Sequence, residues 1–153
     1  MKKKVKIVKD SFGTMELPAD KYWGAQTQRS LINFKINGEK MPLALIHALV
    51  FIEKACAIAN CKVKKLSKQK ADCIIKVCDL ILDHKLDDNF PLSIWQSGSG
   101  TQTNMYVNEV ISFKANELAK KSLVHPNDDV NIHNHLMMFS LEEYINNCYF
   151  NKR

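Results

Sequence analysis

The chain has 153 residues, enough for one ordinary domain and too few for a large multidomain enzyme. Hydrophobic residues make up 46% of it and charged residues 25%, which excludes a chain that is disordered by composition. Basic residues outnumber acidic ones by 22 to 16, a balance that attracts anions, nucleic acids or acidic membranes without choosing among them.

The first elements predicted along the chain are two short strands. Apolar residues surround a turn at residues 10–13 within the segment 5–17, a pattern typical of a hairpin. A loop follows from Pro18 through Gly24. Only 5 glycines and 4 prolines occur in the whole chain, so we expect the remainder to be mainly helical rather than a sandwich or barrel.

Three helices are predicted after this loop. From Pro42, apolar residues recur at spacings of three and four, which predicts a helix of about five turns. Its expected buried stripe is Leu45, Leu49, Ile52, Cys56 and Ala59. Lys62 to Lys70 is interpreted as a basic linker in which Ser67 caps a second helix. The inward face of that helix is expected to be Ile74, Val77, Cys78 and Ile81.

The third helix is predicted from Thr103. Its apolar positions are expected to be Val107, Val110, Ile111, the stem of Lys114, Leu118 and Ala119. The segment 87–91 ends the second helix, and residues 125–128 form a turn by composition.

The cysteines and the apolar runs predict a soluble protein of a reducing compartment, the cytoplasm. Five cysteines is an odd number, and most of them fall in helix-like segments. The basic start is not followed by the apolar run of a secretory signal. The longest apolar stretch, Leu43 to Ile52, is shorter than the roughly 20 residues that span a bilayer, so we expect no membrane segment.

Residues 97–101, Ser-Gly-Ser-Gly-Thr, are the candidate anion site. They precede a helix, so backbone N–H groups, the positive end of the helix dipole and hydroxyls can converge on one anion. An ordinary flexible helix cap is the alternative interpretation. No lysine follows the last glycine, which excludes a nucleotide phosphate loop.

Other chemistry-bearing residues favour structural roles, and no metal or other cofactor is expected. The pairs Cys56 with Cys61 and Cys73 with Cys78 have the wrong spacing for zinc and are interpreted as core residues. His133 and His135 lack neighbouring ligands. His47 is interpreted as a partly buried structural histidine. The lysines of residues 62–70 lack interleaved aromatic residues, so nucleic-acid binding is not expected.

Five segments in chain order resemble class II fumarate hydratase. They are YWGAQTQRS at 22–30, Asn33-Phe34, WQSGSGTQTNM at 95–105, VNEV at 107–110 and HPND at 125–128. Together with the residues between them they place the similarity over residues 10–131. The Trp-Gln and His-Pro-Asn-Asp forms resemble fumarases more than the related aspartate ammonia-lyases.

The resemblance implies reversible hydration of fumarate to L-malate, in the tricarboxylic acid cycle, through a dianionic aci-carboxylate intermediate. It implies that Ser99, Gly100 and Thr101 form the loop that binds a substrate carboxylate. A helix N-terminus supplies the fixed donors that such an intermediate requires. His125, Pro126, Asn127 and Asp128 match the family's second dicarboxylate site, on the path to the active site.

The resemblance also implies an incomplete catalytic centre. Family members are several times longer, and three subunits of a homotetramer build each active site. The tetramer-forming helices, the histidine proton relay and the serine base of a Gly-Ser-Ser loop correspond to nothing in these 153 residues. We therefore expect no catalytic acid or base here, and no hydratase activity from this chain alone.

Departures from the family pattern occur within and after the similar region. Tyr106 stands where asparagine is usual, Lys114 where arginine is usual, and Ser122 near the place of an expected basic residue. After residue 131 the similarity stops. The family's SQSSNDVF, written tca caa tca tct aat gat gtt ttc and shifted by one base, reads cac aat cat cta atg atg ttt and encodes residues 133–139.

The sequence thus predicts a mainly α fold, the N-terminal helical domain of the fumarase and aspartase superfamily with a short strand pair at its start. Residues 1–131 form this domain, and 132–153 are interpreted as a tail produced by a frameshift. The alternative to a fumarate hydratase fragment is a non-catalytic chain that docks with full-length fumarase or is the product of a degraded gene. A basic nucleic-acid binder is a third hypothesis, with steep salt dependence.

Overall fold

The computed structural model describes residues 4–36, 38–96 and 101–130. The frameshift hypothesis, the boundary at 131 and the pair His133 and His135 therefore lie outside the described residues. So do Ser99 and Gly100 of the candidate anion loop.

An antiparallel hairpin opens the fold, as predicted. Strand β1 spans Val5–Asp10 and β2 spans Gly13–Pro18, with Asp10 opposite Gly13 across the turn. The Asp10 carboxylate accepts a hydrogen bond of 2.9 Å from the backbone N–H of Phe12, which closes the turn. Gly13 has φ of +116°, a conformation that other residues rarely adopt.

Within the described residues, four α-helices follow the hairpin. They are α1 (Ala25–Asn33), α2 (Leu43–Lys62), α3 (Lys68–Leu82) and α4 (Thr101–Ala119), with a short 3-10 helix at Asp87–Asn89. Helix α2 packs on α3, and α4 contacts α1, α2 and α3. The mainly α prediction is confirmed, whereas α1 was not predicted. Its polar sequence and lack of a side-chain cap give no start signal.

Helix α3 has the face predicted for it. Ser67 accepts a hydrogen bond of 3.4 Å from the Lys70 N–H at the start of the helix. The four predicted inward residues are buried, together with Ala71. The apolar residues of α3 recur at spacings of three and four, so they lie on one side of the helix. The sequence therefore predicts a single buried face.

The stripe predicted for α2 is correct only in part. Cys56 and Ala59 are buried as predicted and Leu49 is partly buried against the core, whereas Leu45 is 46% exposed. The buried residues of α2 are Ile46, Val50, Glu53, Ala55, Cys56, Ala57, Ala59 and Asn60. Since α2 is apolar nearly all round and two of these positions are polar, the sequence pattern did not identify the whole buried face.

The predicted apolar face of α4 is corrected at one position, and two of the cysteines predicted for the core, on α2 and α3, are confirmed there. Leu118 is 37% exposed and not part of the core, whereas Val107, Val110 and Ile111 are fully buried. The four described cysteines are free, and two of them, Cys56 and Cys78, are buried. Burial raises the pKa of the Cys56 thiol to about 12, which leaves it protonated and unreactive at neutral pH.

Helix α2 is also long and apolar enough to cross a membrane. It has 20 residues, within which an 18-residue stretch has a mean hydropathy of 1.6 and is 44% buried inside the protein. The core helix of a soluble protein meets the same criteria of length and composition.

Candidate functional site

The predicted anion loop lies between two anchored segments. Gln96, which precedes it, is 2% exposed, and its amide N–H donates to the Thr103 hydroxyl at 2.8 Å. Helix α4 begins at Thr101, an exposed residue, two positions earlier than predicted. The hydrogen bond therefore joins the residue before the loop to the first turn of the helix after it.

Polar side chains accompany this first turn of α4. The side-chain Oε1 atom of Gln96 and the side-chain Nε2 atom of Gln102 are shielded from solvent. Neither has a hydrogen-bond partner within the described ranges. Gln102 lines a recess of about 200 Å³ on the side facing α1. The other lining residues are Phe12, Gln26, Arg29, Ser30, Asn33 and Phe34. Sequence reasoning missed this recess because it did not find α1.

Arg29 is the cation of the recess, and it is paired within the protein. Its guanidinium donates to both oxygens of the Asp10 carboxylate, one of them at 2.7 Å. That hydrogen-bonded pairing holds the pKa of Asp10 below its usual value. The amide of Gln26 donates to the same carboxylate at 3.0 Å. Arg29 thus ties the hairpin to α1.

Glu109 holds the start of α1 against the middle of α4. Its carboxylate, 4% exposed, accepts backbone N–H bonds from Gly24 at 3.0 Å, Gln26 at 2.9 Å and Thr27 at 3.0 Å. The Thr27 hydroxyl donates a fourth bond of 2.6 Å. A carboxylate from another helix therefore caps α1, which has no cap of its own.

Gly24 is required by this arrangement. A Cβ atom there would lie 2.5 Å from the Oε1 atom of Glu109 and 2.9 Å from the Phe113 ring. In the sequence, Glu109 is distinguished only as an acidic residue among the apolar residues of α4. Its partners are more than 80 residues earlier in the chain, so the sequence pattern did not reveal them.

The turn at 125–128, the predicted second site, is exposed and internally hydrogen-bonded. The backbone N–H of His125 donates to the Asp129 carboxylate at 2.8 Å, and the Asn127 N–H donates to His125 Nδ1 at 3.3 Å. His125 Nδ1 also lies 3.1 Å from the Asp128 carboxylate. Lys70 of α3 pairs with Asp129 at 2.7 Å. Asp129, not predicted, is thus the residue that organises this turn.

Helix α4 also holds the segment that precedes this turn, residues 123–124. The Asn116 side chain accepts from the N–H groups of Leu123 and Val124, both at 2.7 Å, and donates to the Val124 carbonyl at 2.8 Å. Ser112 donates to the same carbonyl at 2.6 Å. Ser112 and Asn116 are 11 and 15 residues after Thr101, so the turn lies roughly 17–23 Å along the helix from the loop. The two predicted sites are therefore separate in this chain.

A cavity of about 450 Å³ adjoins the turn and includes His125, Pro126 and Asn127 in its wall. Asp10 and Glu109 also line it. Their carboxylates are engaged by Arg29 and by the start of α1, as described above. The wall thus carries two engaged carboxylates and one lysine, Lys9, so it has no excess of positive charge that would favour a dianion.

The basic segment after α2 is partly neutralised. Lys68 pairs with Asp72 at 2.8 Å, and Lys70 pairs with Asp129. Lys62, Lys64 and Lys65 are exposed. The pairing agrees with the interpretation of this segment as a solvated face.

Comparisons with known proteins match most of the chain. The model of the family described as Lyase matches residues 13–134. A class II fumarate hydratase of Staphylococcus haemolyticus is 50% identical over 131 residues, covering 83% of this chain and 28% of that protein. One from Myxococcus xanthus is 53% identical over 134 residues, covering 84% and 29%. The chain thus spans less than a third of the length of these relatives.

Solved structures show the same fold. A class II fumarase from Schistosoma mansoni superposes with a TM-score of 0.81 at 43% identity, covering 84% of this chain and 28% of that one. A fumarate lyase:delta crystallin from Brucella melitensis gives a TM-score of 0.79 at 37% identity, with coverage of 84% and 32%.

Proposed function

This chain belongs to the lyase family, and we propose that it is the N-terminal segment of a class II fumarate hydratase, supplying the loop that binds a carboxylate of fumarate or L-malate. The motif-based resemblance to this family is confirmed by relatives at about half identity. The hydratase activity belongs to proteins more than three times as long, so for this chain it remains our proposal.

One observation carries the assignment of the loop. The segment that contains Ser99 and Gly100 enters α4 at Thr101, and the hydrogen bond from Gln96 to Thr103 holds the entry in place. The N–H groups of the first helical turn point away from the helix body, and the helix dipole adds partial positive charge. These groups are donors fixed before the substrate arrives, as stabilisation of a dianionic intermediate requires.

The chemistry itself needs further groups. Dehydration of L-malate removes a proton from the carbon beside one carboxylate and expels hydroxide, which leaves as water, from the neighbouring carbon. A base and an acid must therefore stand on the substrate. Among the described histidines, His125 lies beyond the end of α4, and His47 on α2 and His84 after α3 contact each other. We propose that this chain alone does not hydrate fumarate.

We propose the turn of His125, Pro126, Asn127 and Asp128 as a second, weaker dicarboxylate site. Its exposed backbone and the internal bonds to Asp129 support a preformed turn. Three nearby carboxylates, those of Asp128, Asp129 and Glu109, oppose a dianion. Lys70 is already paired with Asp129, and the wall of the adjoining cavity supplies one further lysine, Lys9. The expected affinity is therefore lower than at the loop.

Docking with full-length fumarase chains is the second candidate function. The N-terminal half of α2 leaves Leu43, Leu45 and Phe51 exposed by 37%, 46% and 40%. Ile32 in α1, and Phe34 and Ile36 in the segment after it, are exposed as well. Apolar side chains of this size are typical of surfaces that contact another protein. We propose that this surface contacts helices of full-length fumarase chains. The resemblance to the family suggests that the resulting assembly is a tetramer.

Four free cysteines support a reducing compartment, and with it a cytoplasmic location. The test of the main proposal is a hydratase assay of the purified chain, which follows fumarate absorbance with L-malate as substrate beside a mock preparation. No rate above the mock is expected. Activity above it that disappears in Thr101→Ala would mean that the chain carries its own acid and base.

Docking is tested separately by mixing the chain with an intact class II fumarase. Co-elution in size-exclusion chromatography is the result that the docking proposal predicts. The variant Leu45→Glu, with Val63→Glu as a control at an exposed apolar position after α2, should lose co-elution while the control keeps it. Equal co-elution of all three chains would contradict docking through this face.

A further inference from the structure

Two histidines and an aspartate from three separate elements meet beside the end of α3. His47 lies on α2, His84 follows α3, and Asp87 begins the short 3-10 helix. One ligand atom from each lies within 4.8 Å of the others. None of the three residues belongs to the carboxylate loop at residues 97–101, and the proposed function makes no use of the cluster.

The distances between the ligand atoms suit a single small cation. His84 Nδ1 lies 2.8 Å from one oxygen of Asp87, and His47 Nε2 lies 3.6 Å from the other. In a tetrahedral zinc site with bonds near 2.0 Å, ligand atoms are roughly 3.3 Å apart. Modest side-chain rotation would therefore place all three atoms around one ion.

The more buried side of the cluster, formed by His47 and Asp87, contains polar atoms without a hydrogen-bond partner among the described residues. His47 Nε2 and Asp87 Oδ1 are both shielded from solvent and make no hydrogen bond with any described residue. Their separation of 3.6 Å is too long for such a bond. Buried polar atoms normally have a partner, so two facing each other across this gap indicate space for a third group.

The outer half is open. The His84 side chain is 64% exposed, whereas those of His47 and Asp87 are 19% and 27% exposed. An ion can therefore enter from solvent past His84. Three protein ligands with an accessible fourth position resemble an open zinc site more than a closed one.

The backbone fixes His84 where it can reach the cluster. Helix α3 ends with hydrogen bonds from His84 N–H to the Ile81 carbonyl at 2.9 Å and from Lys85 N–H to the Leu80 carbonyl at 3.0 Å. His84 consequently has φ of +60°, the left-handed position that glycine usually occupies. Lys64 and Lys120 adopt the same conformation after α2 and α4, so the conformation itself is not evidence for an ion.

We propose that His47, His84 and Asp87 form a binding site for a divalent transition metal ion of the zinc type. Two imidazoles and one carboxylate are the ligand set that Zn²⁺ and Co²⁺ accept, while Mg²⁺ and Ca²⁺ prefer oxygen ligands throughout. Bound there, the ion cross-links α2 to the connection that follows α3. Its role is to stabilise that junction, independently of dicarboxylate binding.

The experiment is a titration of the full 153-residue chain with Co²⁺ alone, followed by the visible absorption of four-coordinate cobalt, with Zn²⁺ as competitor. One equivalent of Co²⁺ should bind, Zn²⁺ should displace it, and Zn²⁺ should raise the melting temperature. A wild-type chain that binds neither ion would overturn the proposal.

Three variants locate the site. Asp87→Asn is nearly isosteric, and His84→Gly suits a left-handed backbone, so its fold should be retained or made more stable. Each should weaken Co²⁺ binding at least about tenfold. The double variant His133→Gln with His135→Gln removes the two histidines that are close together in the sequence, and it should bind as the wild type does. Binding lost in the double variant but kept in His84→Gly would refute the assignment.

Discussion

The middle and the first turn of α4 both carry polar side chains, but they differ in how fully those side chains are hydrogen-bonded within the protein. Glu109, in the middle, accepts four hydrogen bonds from the start of α1 and is buried. At the first turn, Gln96 and Thr103 bond to each other, while one polar atom each of Gln96 and Gln102 has no partner among the described residues. Polar groups satisfied inside the protein build the fold, and those left over are available to a ligand.

The largest effect is expected from Glu109→Gln. The amide nitrogen would face N–H donors of the α1 start, so the variant loses hydrogen bonds to a charged acceptor and leaves buried donors unsatisfied. We expect a loss of about 2–4 kcal/mol in the free energy of unfolding, measured by urea denaturation. Glu117→Gln, at a carboxylate whose side chain is 53% exposed, is the control and should cost at most about 1 kcal/mol. Equal losses would show that Glu109 does not organise α1.

Gly24→Ala attacks the same contact by volume. The added methyl group would overlap the Glu109 carboxylate and the Phe113 ring, which should cost about 1–3 kcal/mol. At Gly38 a Cβ would meet only the Trp95 ring at 3.7 Å, so Gly38→Ala should be nearly neutral. Thermal denaturation of both variants checks the difference, and a stable Gly24→Ala protein would refute the close approach.

Thr103→Val removes the bond that holds the loop entry. The substitution keeps the shape of the side chain but leaves the buried Gln96 amide without its acceptor. A loss of about 1–2 kcal/mol is expected in urea denaturation, together with weaker L-malate binding. The prediction fails if binding falls while stability is unchanged, because the residue would then contact the ligand directly.

The smallest effect concerns pH. The hydrogen bonds from Arg29 lower the pKa of Asp10 in the folded state. A lowered folded-state pKa gives stability that is present above the unfolded value, near 3.8, and is lost as the pH falls through the folded value. Asp10→Asn should therefore be less stable than the wild type at pH 7, with the gap closing as the pH falls below the unfolded value near 3.8. A gap that is constant with pH would contradict the pairing.

The sequence was most informative where a segment has one clear period or a specific motif. The face of α3, the hairpin and the turn at 125–128 all follow from local pattern. The face of α2 followed only in part, with Cys56 and Ala59 buried as predicted, because a nearly all-apolar helix offers several stripes and the buried face also includes Glu53 and Asn60.

The candidate site was predictable only in its local part. The loop before α4 and the exposed turn are each a short run of consecutive residues. Composition and the family resemblance could therefore suggest them as candidates. Glu109, Asp129 and the cluster of His47, His84 and Asp87 act through partners far away in the chain. No spacing rule within one segment reports such contacts, since tertiary packing creates them.

The central claim is that the residues entering α4 bind a carboxylate while those around Glu109 serve the fold. The most direct test is an L-malate titration of the ¹⁵N-labelled chain, following backbone amide shifts in wild type and Thr101→Val. We predict saturable shifts at Ser99, Gly100 and Thr101 in wild type, several-fold weaker in the variant, with Gly24 and Gln26 unmoved. Absent shifts at the loop, or identical titration of the two chains, would contradict the account.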